Sequence, residues 1–173
     1  MYFHGSRRGA PLESRVLVDG VRVRVGPTIK CLGLTLDGRW NFEAHFRSLV
    51  PRVCKAGLAL ASLMRTQGGP GWHARRLYIG VVLSITLYGA PIWAPRLIDT
   101  GRNKSCLQQA MRSVVVRAIR GYRTISYRAA TAVAVSPPVE LLVESRHTLY
   151  WRVKKLREKG EGPSARDLRA LES

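Results

Sequence analysis

From Arg15 to Val25 apolar and basic positions alternate: Val16 and Val18, a break at Asp19-Gly20, then Val21, Val23 and Val25 with Arg22 and Arg24 between them. Period-two alternation around Asp-Gly predicts a hairpin with its arginines on one face. Gly26-Pro27 separates it from a second apolar run, Ile29 to Gly38. There Ile29 and Cys31 alternate with Leu32, Leu34 and Leu36, so both faces of a strand look partly buried. Gly33 at mid-strand weakens a strand unless a bulge forms or a backbone or ligand comes close. Asp37-Gly38 is a turn signal. Asn41 is then placed to cap a helix carrying Glu43 in its first turn.

Beyond residue 41 the period changes from two to between three and four. Phe42, Phe46, Leu49, Val53, Ala56, Leu60 and Met64 form an apolar seam over about 42–65, with Arg47, Arg52, Lys55 and Arg65 off it. Pro51 lies inside that span and is expected to kink it or split it in two. Thr66 to Gly71, with three glycines and Pro70, reads as a linker. Residues 72–94 read as a second helix, apolar on most sides as at the centre of a bundle, with a bend at Gly89-Ala90-Pro91. Arg96 to Gly101 reads as a loop. A third helix is predicted over about 103–120: Leu107, Met111, Val114, Val115 and Ala118 share one arc and Arg112, Arg117 and Arg120 the opposite one, with Gly121 as its C′ residue. Ser126 caps a short helix to about Ala134, and Pro137-Pro138 opens a last helix to about Lys159. Tyr2-Phe3 reads as the end of a strand, Gly5 to Glu13 as a basic loop, and residues 160–173 as a flexible polar tail. The pattern is that of a mainly α chain with a small N-terminal antiparallel β-sheet (α+β).

Charge sharpens the picture. Lys and Arg number 29 against 11 Asp and Glu, a net +18 in 173 residues, with a pI near 11.1. Apolar residues make up 46% and charged residues 23%, a folded rather than disordered composition. Such an excess points to a polyanion, nucleic acid first and an anionic membrane second. Residues 101–135 hold seven basic residues and no acidic one; residues 136–173 hold eight basic and six acidic. The apolar run Tyr78 to Ala94 contains Gly80, Gly89 and Pro91 and reads as a buried helix rather than a membrane span. No signal peptide is legible at the first residues.

Catalytic chemistry is scarce. Cys31, Cys54 and Cys106 are far apart, no Cys-x-x-Cys occurs, and the histidines are not at zinc-ligand spacing, so the cysteines read as reduced thiols and no metal site is expected. No Gly-x-Ser-x-Gly, phosphate-binding Walker loop or His-Glu-x-x-His is present. His45 and His73 are single, which suits packing or phosphate contact better than general-base work. A polymerase needs two or three carboxylates converging on Mg²⁺, and no Asp-Asp pair follows an aromatic residue here.

The run Lys30-Cys31-Leu32-Gly33-Leu34-Thr35-Leu36-Asp37, continued through Trp40 and Phe42 to His45, resembles the segment after the catalytic palm of non-LTR (LINE-like) retrotransposon reverse transcriptases. Arg76-Leu77-Tyr78, Leu87-Tyr88-Gly89-Ala90-Pro91-Ile92-Trp93, and Gly121-Tyr122-Arg123-Thr124 followed by Pro137-Pro138 agree in order, especially with insect elements that insert in ribosomal genes. The resemblance covers roughly residues 1–155. Cys31 departs from it, since the family usually has Tyr there.

The resemblance implies palm-edge and primer-grip strands over 1–40, thumb-like helices over 41–100, a basic helical region over 101–159 and the tail over 160–173. It assigns the primer grip to Lys30, Cys31, Leu32 and Gly33, where a missing side chain admits nucleic-acid backbone. Arg39, His45, Arg47, Arg52, Lys55, Arg75 and Arg76 become candidates for nucleic-acid contact, Trp40 for sugar or base stacking, and Arg112, Arg117 and Arg120 for template RNA or target DNA. The packing alternatives stay open: solvated helix faces for the arginines and core packing for Trp40. The implied parent is an RNA-directed DNA polymerase using Mg²⁺, partnered by primer–template RNA and DNA and by its own upstream palm and fingers. Its implied location is the nucleus, and the cytoplasm as a ribonucleoprotein. This chain would bind nucleic acid without polymerising, its own residues holding no cofactor. A second reading is a stand-alone basic RNA- or DNA-binding adaptor domesticated from such an element. A third is peripheral membrane binding through Tyr78–Ala94.

Overall fold

Two tight hairpins open the described part of the chain. In the computed structural model, residues 15–64, 71–160 and 162 are described. The readings of residues 1–14, of the linker 66–70 and of the tail beyond Gly162 fall outside them. The order is β1 (Arg15–Val18), β2 (Val21–Arg24), β3 (Thr28–Cys31), β4 (Leu34–Asp37), α1 (Glu43–Leu63), α2 (Trp72–Thr86), α3 (Ala90–Asp99), α4 (Gly101–Ala118), α5 (Tyr127–Val133) and α6 (Val139–Glu158). The fold is therefore mainly α, with two small antiparallel sheets at its N-terminal end. The chain divides into two units, residues 1–49 and 50–173.

In the first unit β1 and β2 pair as expected, Val16 with Val23 and Val18 with Val21 on one face, Arg15 with Arg24 and Leu17 with Arg22 on the other. The run from Ile29 to Gly38 is not one strand. It folds back on itself, Thr28 opposite Asp37 and Cys31 opposite Leu34. Leu32 (φ 47°) and Gly33 (φ 81°) both take the left-handed region, as a two-residue hairpin turn demands. Period-two apolarity cannot distinguish one strand from two short ones, so Gly33 was the informative residue, and it makes a turn.

Asp37 then organises the entry to α1. Its carboxylate accepts the backbone N–H groups of Arg39 (3.0 Å), Asn41 (3.2 Å) and Phe42 (2.7 Å), and its carbonyl accepts that of Trp40. These bonds hold Trp40 and Phe42 at positive φ, a conformation that costs on the order of 1–3 kcal/mol per residue. Asn41 Oδ1 accepts Glu43 N–H at 2.9 Å, the predicted cap. Phe42, His45, Phe46 and Leu49 are buried, with the rings of Phe42, His45 and Phe46 meeting edge-on.

Pro51 neither ends nor divides α1, which runs unbroken from Glu43 to Leu63. Pro51 is exposed, so the carbonyl left without its N–H partner meets water rather than a dry core.

The second unit is centred on α4, which packs against α2, α3, α5 and α6. Leu107, Met111, Val114, Val115 and Ala118 are buried on it as predicted. The span 72–94 bends near Gly89 as expected, but as two helices rather than one. It breaks after Thr86 and resumes at Ala90, the halves meeting at 84°, and α3 continues through the expected loop to Asp99. Gly89 (φ 66°) makes the corner, and Trp93 Nε1 donates to Tyr88 O across it at 2.9 Å. Nor is α2 buried all round: Tyr78, Ile79, Val82 and Thr86 are inside, while Leu77 and Val81 are exposed. Apolar content overstated its burial because the bend turns only one face of each half inward.

The α4 terminus also differs. The left-handed C′ residue is Arg120 (φ 53°), not Gly121. Gly121 N–H reaches Val116 O at 2.9 Å and Arg120 N–H reaches Arg117 O at 3.2 Å, the paired bonds of a Schellman ending. The same pairing recurs after α5, with Val135 in the left-handed position. Ser126 caps α5 as predicted, its Oγ accepting Ala129 N–H at 3.2 Å.

Candidate nucleic-acid interface

The last turn of α4 and the loop after it gather arginines. Arg112, Arg117, Arg120 and Arg123 line one open cavity of about 640 Å³, opposite Leu58, Ala61 and Met64 of the α1 segment, with Val116 and Gly121 at its floor. Arg112, Ser113, Arg117 and Arg120 recur at helical spacing and so share a face. The Schellman turn then reverses the chain and returns Arg123 to the same side. Among the described residues no acidic one lines the cavity.

The four arginines do different things. Arg112 is half-buried, and its guanidinium clamps the loop: Nε and Nη2 donate to Ile125 O at 2.9 and 2.7 Å, and Nη2 also to Arg123 O. Its fork is largely consumed by carbonyls. Arg117 is exposed and donates one N–H to Ser113 O of its own helix. Arg120 reaches Met64 O at 3.5 Å, the outer limit for such a bond. The Arg123 guanidinium has no hydrogen-bond or acidic partner among the described residues. Arg117 also acts on the neighbouring core, where its charge partly opposes the upward pKa shift that burial imposes on Tyr78. Concentrated guanidinium forks facing no carboxylate can take a phosphate by bidentate, charge-assisted hydrogen bonds.

The other expected contact residues are distributed as follows. In the first unit Lys30 and Cys31 are exposed on β3, and Leu32 stands at its tip, 85% exposed. Gly33 is spent on the turn. Arg39 is exposed, and Trp40 is 37% exposed with its ring edge-on to Phe42 at 5.3 Å. His45 is 3% exposed, and its Nδ1 accepts Thr35 N–H at 3.4 Å, tying α1 to β4. Arg47 is exposed and paired with Glu43 at 2.7 Å. In the second unit Arg52 and Lys55 are exposed on α1, as are Arg75 and Arg76 at the start of α2, with Arg76 lying 6.0 Å above the Trp72 ring. Of the expected residues, Arg112, Arg117 and Arg120 thus share one cavity. Arg123 joins them unforeseen, brought back by the turn after α4.

A parent polymerase of the implied kind would use Mg²⁺. Among the described residues no three His, Cys, Asp or Glu side chains converge, so they do not fit such a cation. No single described helix is long and apolar enough to cross a membrane.

Comparison with known proteins adds a family context. The chain is 29% identical over 145 residues to a 115 kDa protein in type-1 retrotransposable element R1DM of Drosophila melanogaster, covering 82% of this chain and 14% of that protein. It is 25% identical over 134 residues to the retrovirus-related Pol polyprotein from type-1 retrotransposable element R1 4 of Nasonia vitripennis, covering 77% of this chain and 33% of that one. These similarities support a protein derived from a non-LTR retrotransposon. The chain spans at most a third of the length of these relatives. No family model and no solved structure matches it.

Proposed function

We propose that this chain is a nucleic-acid-binding segment of a retrotransposon RNA-directed DNA polymerase, lying after the catalytic palm and carrying no catalytic carboxylates of its own. The observation that carries the reading is the cavity at the end of α4, which four arginines line and no acid among the described residues does. Such a cluster repels itself unless an anion enters, and nucleic-acid phosphate is the anion that a net charge of +18 selects. The similarity to R1 proteins supplies the polymerase context. In this reading the β3–β4 hairpin is the primer grip, with Lys30 and Cys31 exposed beside its tip, and α1 to α3 are the thumb that closes on primer–template duplex. Phosphate contacts would set affinity and register without reading sequence.

The test is binding of the purified chain to a primer–template with a recessed 3′ end, to a blunt duplex and to heparin. Preference for the recessed end, with no nucleotide incorporation, is the expected result. Equal binding to all three would remove the primer-grip and thumb assignment, and incorporation by the chain alone would contradict the absence of catalytic carboxylates.

A further inference from the structure

A second groove lies between the α2–α3 corner and α6, and shares no lining residue with the arginine cavity. Its cavity is about 650 Å³ and contains Tyr88, Gly89 and Pro91 on one side and Arg146, Tyr150, Lys154 and Arg157 on the other, over an apolar floor that includes Leu149 and Val153. No acid lines it. Arg146, Tyr150, Lys154 and Arg157 follow at spacings of four, four and three, so one ridge of α6 alternates cation, ring, cation, cation. Tyr88 is 55% exposed and Tyr150 49%: two large rings kept partly in water at the lip of a basic groove.

The ring on α6 is held in place. Trp151 stands edge-on to Tyr150, centroids 5.5 Å apart and planes at 86°. Trp151 is fixed in turn, its Nε1 donating to His147 Nε2 at 2.9 Å and the Lys154 ammonium sitting 4.8 Å above its ring. An exposed tyrosine braced by a ring that is itself held by two side chains loses little rotamer freedom when something stacks on it.

We propose that this groove binds single-stranded nucleic acid, the bases stacking on Tyr88 and Tyr150 and the phosphates tracking Arg146 and Arg157. Aromatic rings interleaved with cations suit an unpaired strand, because every base has a π-face and only an unstacked base exposes it. A duplex would use the arginines and leave the tyrosines idle. The inference rests on the nucleic-acid reading above and adds a substrate form to it, at a different place on the second unit.

The experiment compares a twelve-nucleotide single strand with an abasic strand of the same length, as RNA and as DNA, for the full chain, Tyr150→Leu and Tyr150→Phe. The wild type is expected to favour the base-bearing strand, each of the two stacked bases contributing about five- to 150-fold. Tyr150→Phe should keep that ratio, since it keeps the ring. Tyr150→Leu should lose the factor of one stacked base, about fivefold or more, while binding primer–template duplex as before. An unchanged ratio in Tyr150→Leu, or no base preference in the wild type, overturns the groove proposal and leaves duplex binding standing. A wild-type chain that binds neither strand, duplex nor heparin would overturn the nucleic-acid reading together with it.

Discussion

The hydroxyl of Tyr78 donates to the carbonyl of Gly57 at 3.0 Å, joining α2 to α1 at the point where α1 also meets α4. A Cβ on Gly57 would stand 2.9 Å from Val114 Cγ2 and 3.4 Å from that same hydroxyl. Gly57 is therefore a close-approach residue inside a helix, where glycine otherwise costs about 0.5–1 kcal/mol relative to alanine. Gly57→Ala should destabilise the second unit by about 1–3 kcal/mol through overpacking against Val114, despite its better helix propensity. Tyr78→Phe should cost about 1 kcal/mol, the net value of one buried hydrogen bond. Denaturant unfolding followed by helical circular dichroism measures both, and a stabilised Gly57→Ala would contradict the close approach.

Arg120 occupies the left-handed position that ends α4. Glycine there would relieve about 1 kcal/mol of backbone strain. Arg120→Gly should thus hold or raise the melting temperature while weakening nucleic-acid binding. The opposite signs separate a binding role from a folding role in one variant, since a residue needed only for structure would not weaken binding on stabilisation.

Asp37 carries three backbone N–H groups on one carboxylate. Asp37→Ala should release the loop that holds Trp40 and Phe42 at positive φ, costing about 2–3 kcal/mol by the usual value of bonds to a charged acceptor. The amide of Phe42 should lose hydrogen-exchange protection before the amides of the second unit do. Equal protection in variant and wild type would show that the carboxylate does not hold the loop.

Tyr127 places a pH limit on the second unit. Burial pushes its hydroxyl up to about 12, helped by the nearby Glu140 charge and opposed by the Val139 N–H that donates to it at 2.8 Å. Its folded pKa lies above the ordinary tyrosine value near 10, so the neutral form is favoured by folding. That contribution is complete below pH 10 and is lost as pH rises through about 12. Stability measured over this interval should fall with pH, and Tyr127→Phe should flatten that slope while costing some stability at pH 7, because Val139 N–H at the start of α6 loses its acceptor.

Much of this fold was legible in residue order. The Asp19-Gly20 hairpin, the Asn41 and Ser126 caps and the α6 start at Pro137-Pro138 all rest on local chemistry, which a sequence displays directly. The corner at Gly89 was visible for the same reason. What was hidden depended on turn geometry and on which face packs inward. Leu32 and Arg120 adopt left-handed conformations that no propensity assigns to them, because surrounding hydrogen bonds override the preference. The exposure of Leu77 and Val81 was hidden by an apolar composition that says nothing of which face turns inward. Of the candidate interface, the α4 arginine arc was readable from period alone. The return of Arg123 across the Schellman turn was not, nor was the meeting of Tyr88 with the α6 ridge, since each depends on a turn geometry and not on spacing.

The most direct test of the account is the salt dependence of primer–template affinity for the wild type and for Arg117→Gln/Arg123→Gln. Each phosphate neutralised contributes about 0.9 to the slope of log K against log salt. If these two arginines hold phosphate, the slope should become shallower by about two phosphates' worth in the variant, with folding unchanged because both side chains are exposed. A variant with the wild-type slope and affinity would show that phosphate binds elsewhere, and the arginine cavity would lose its role as the interface.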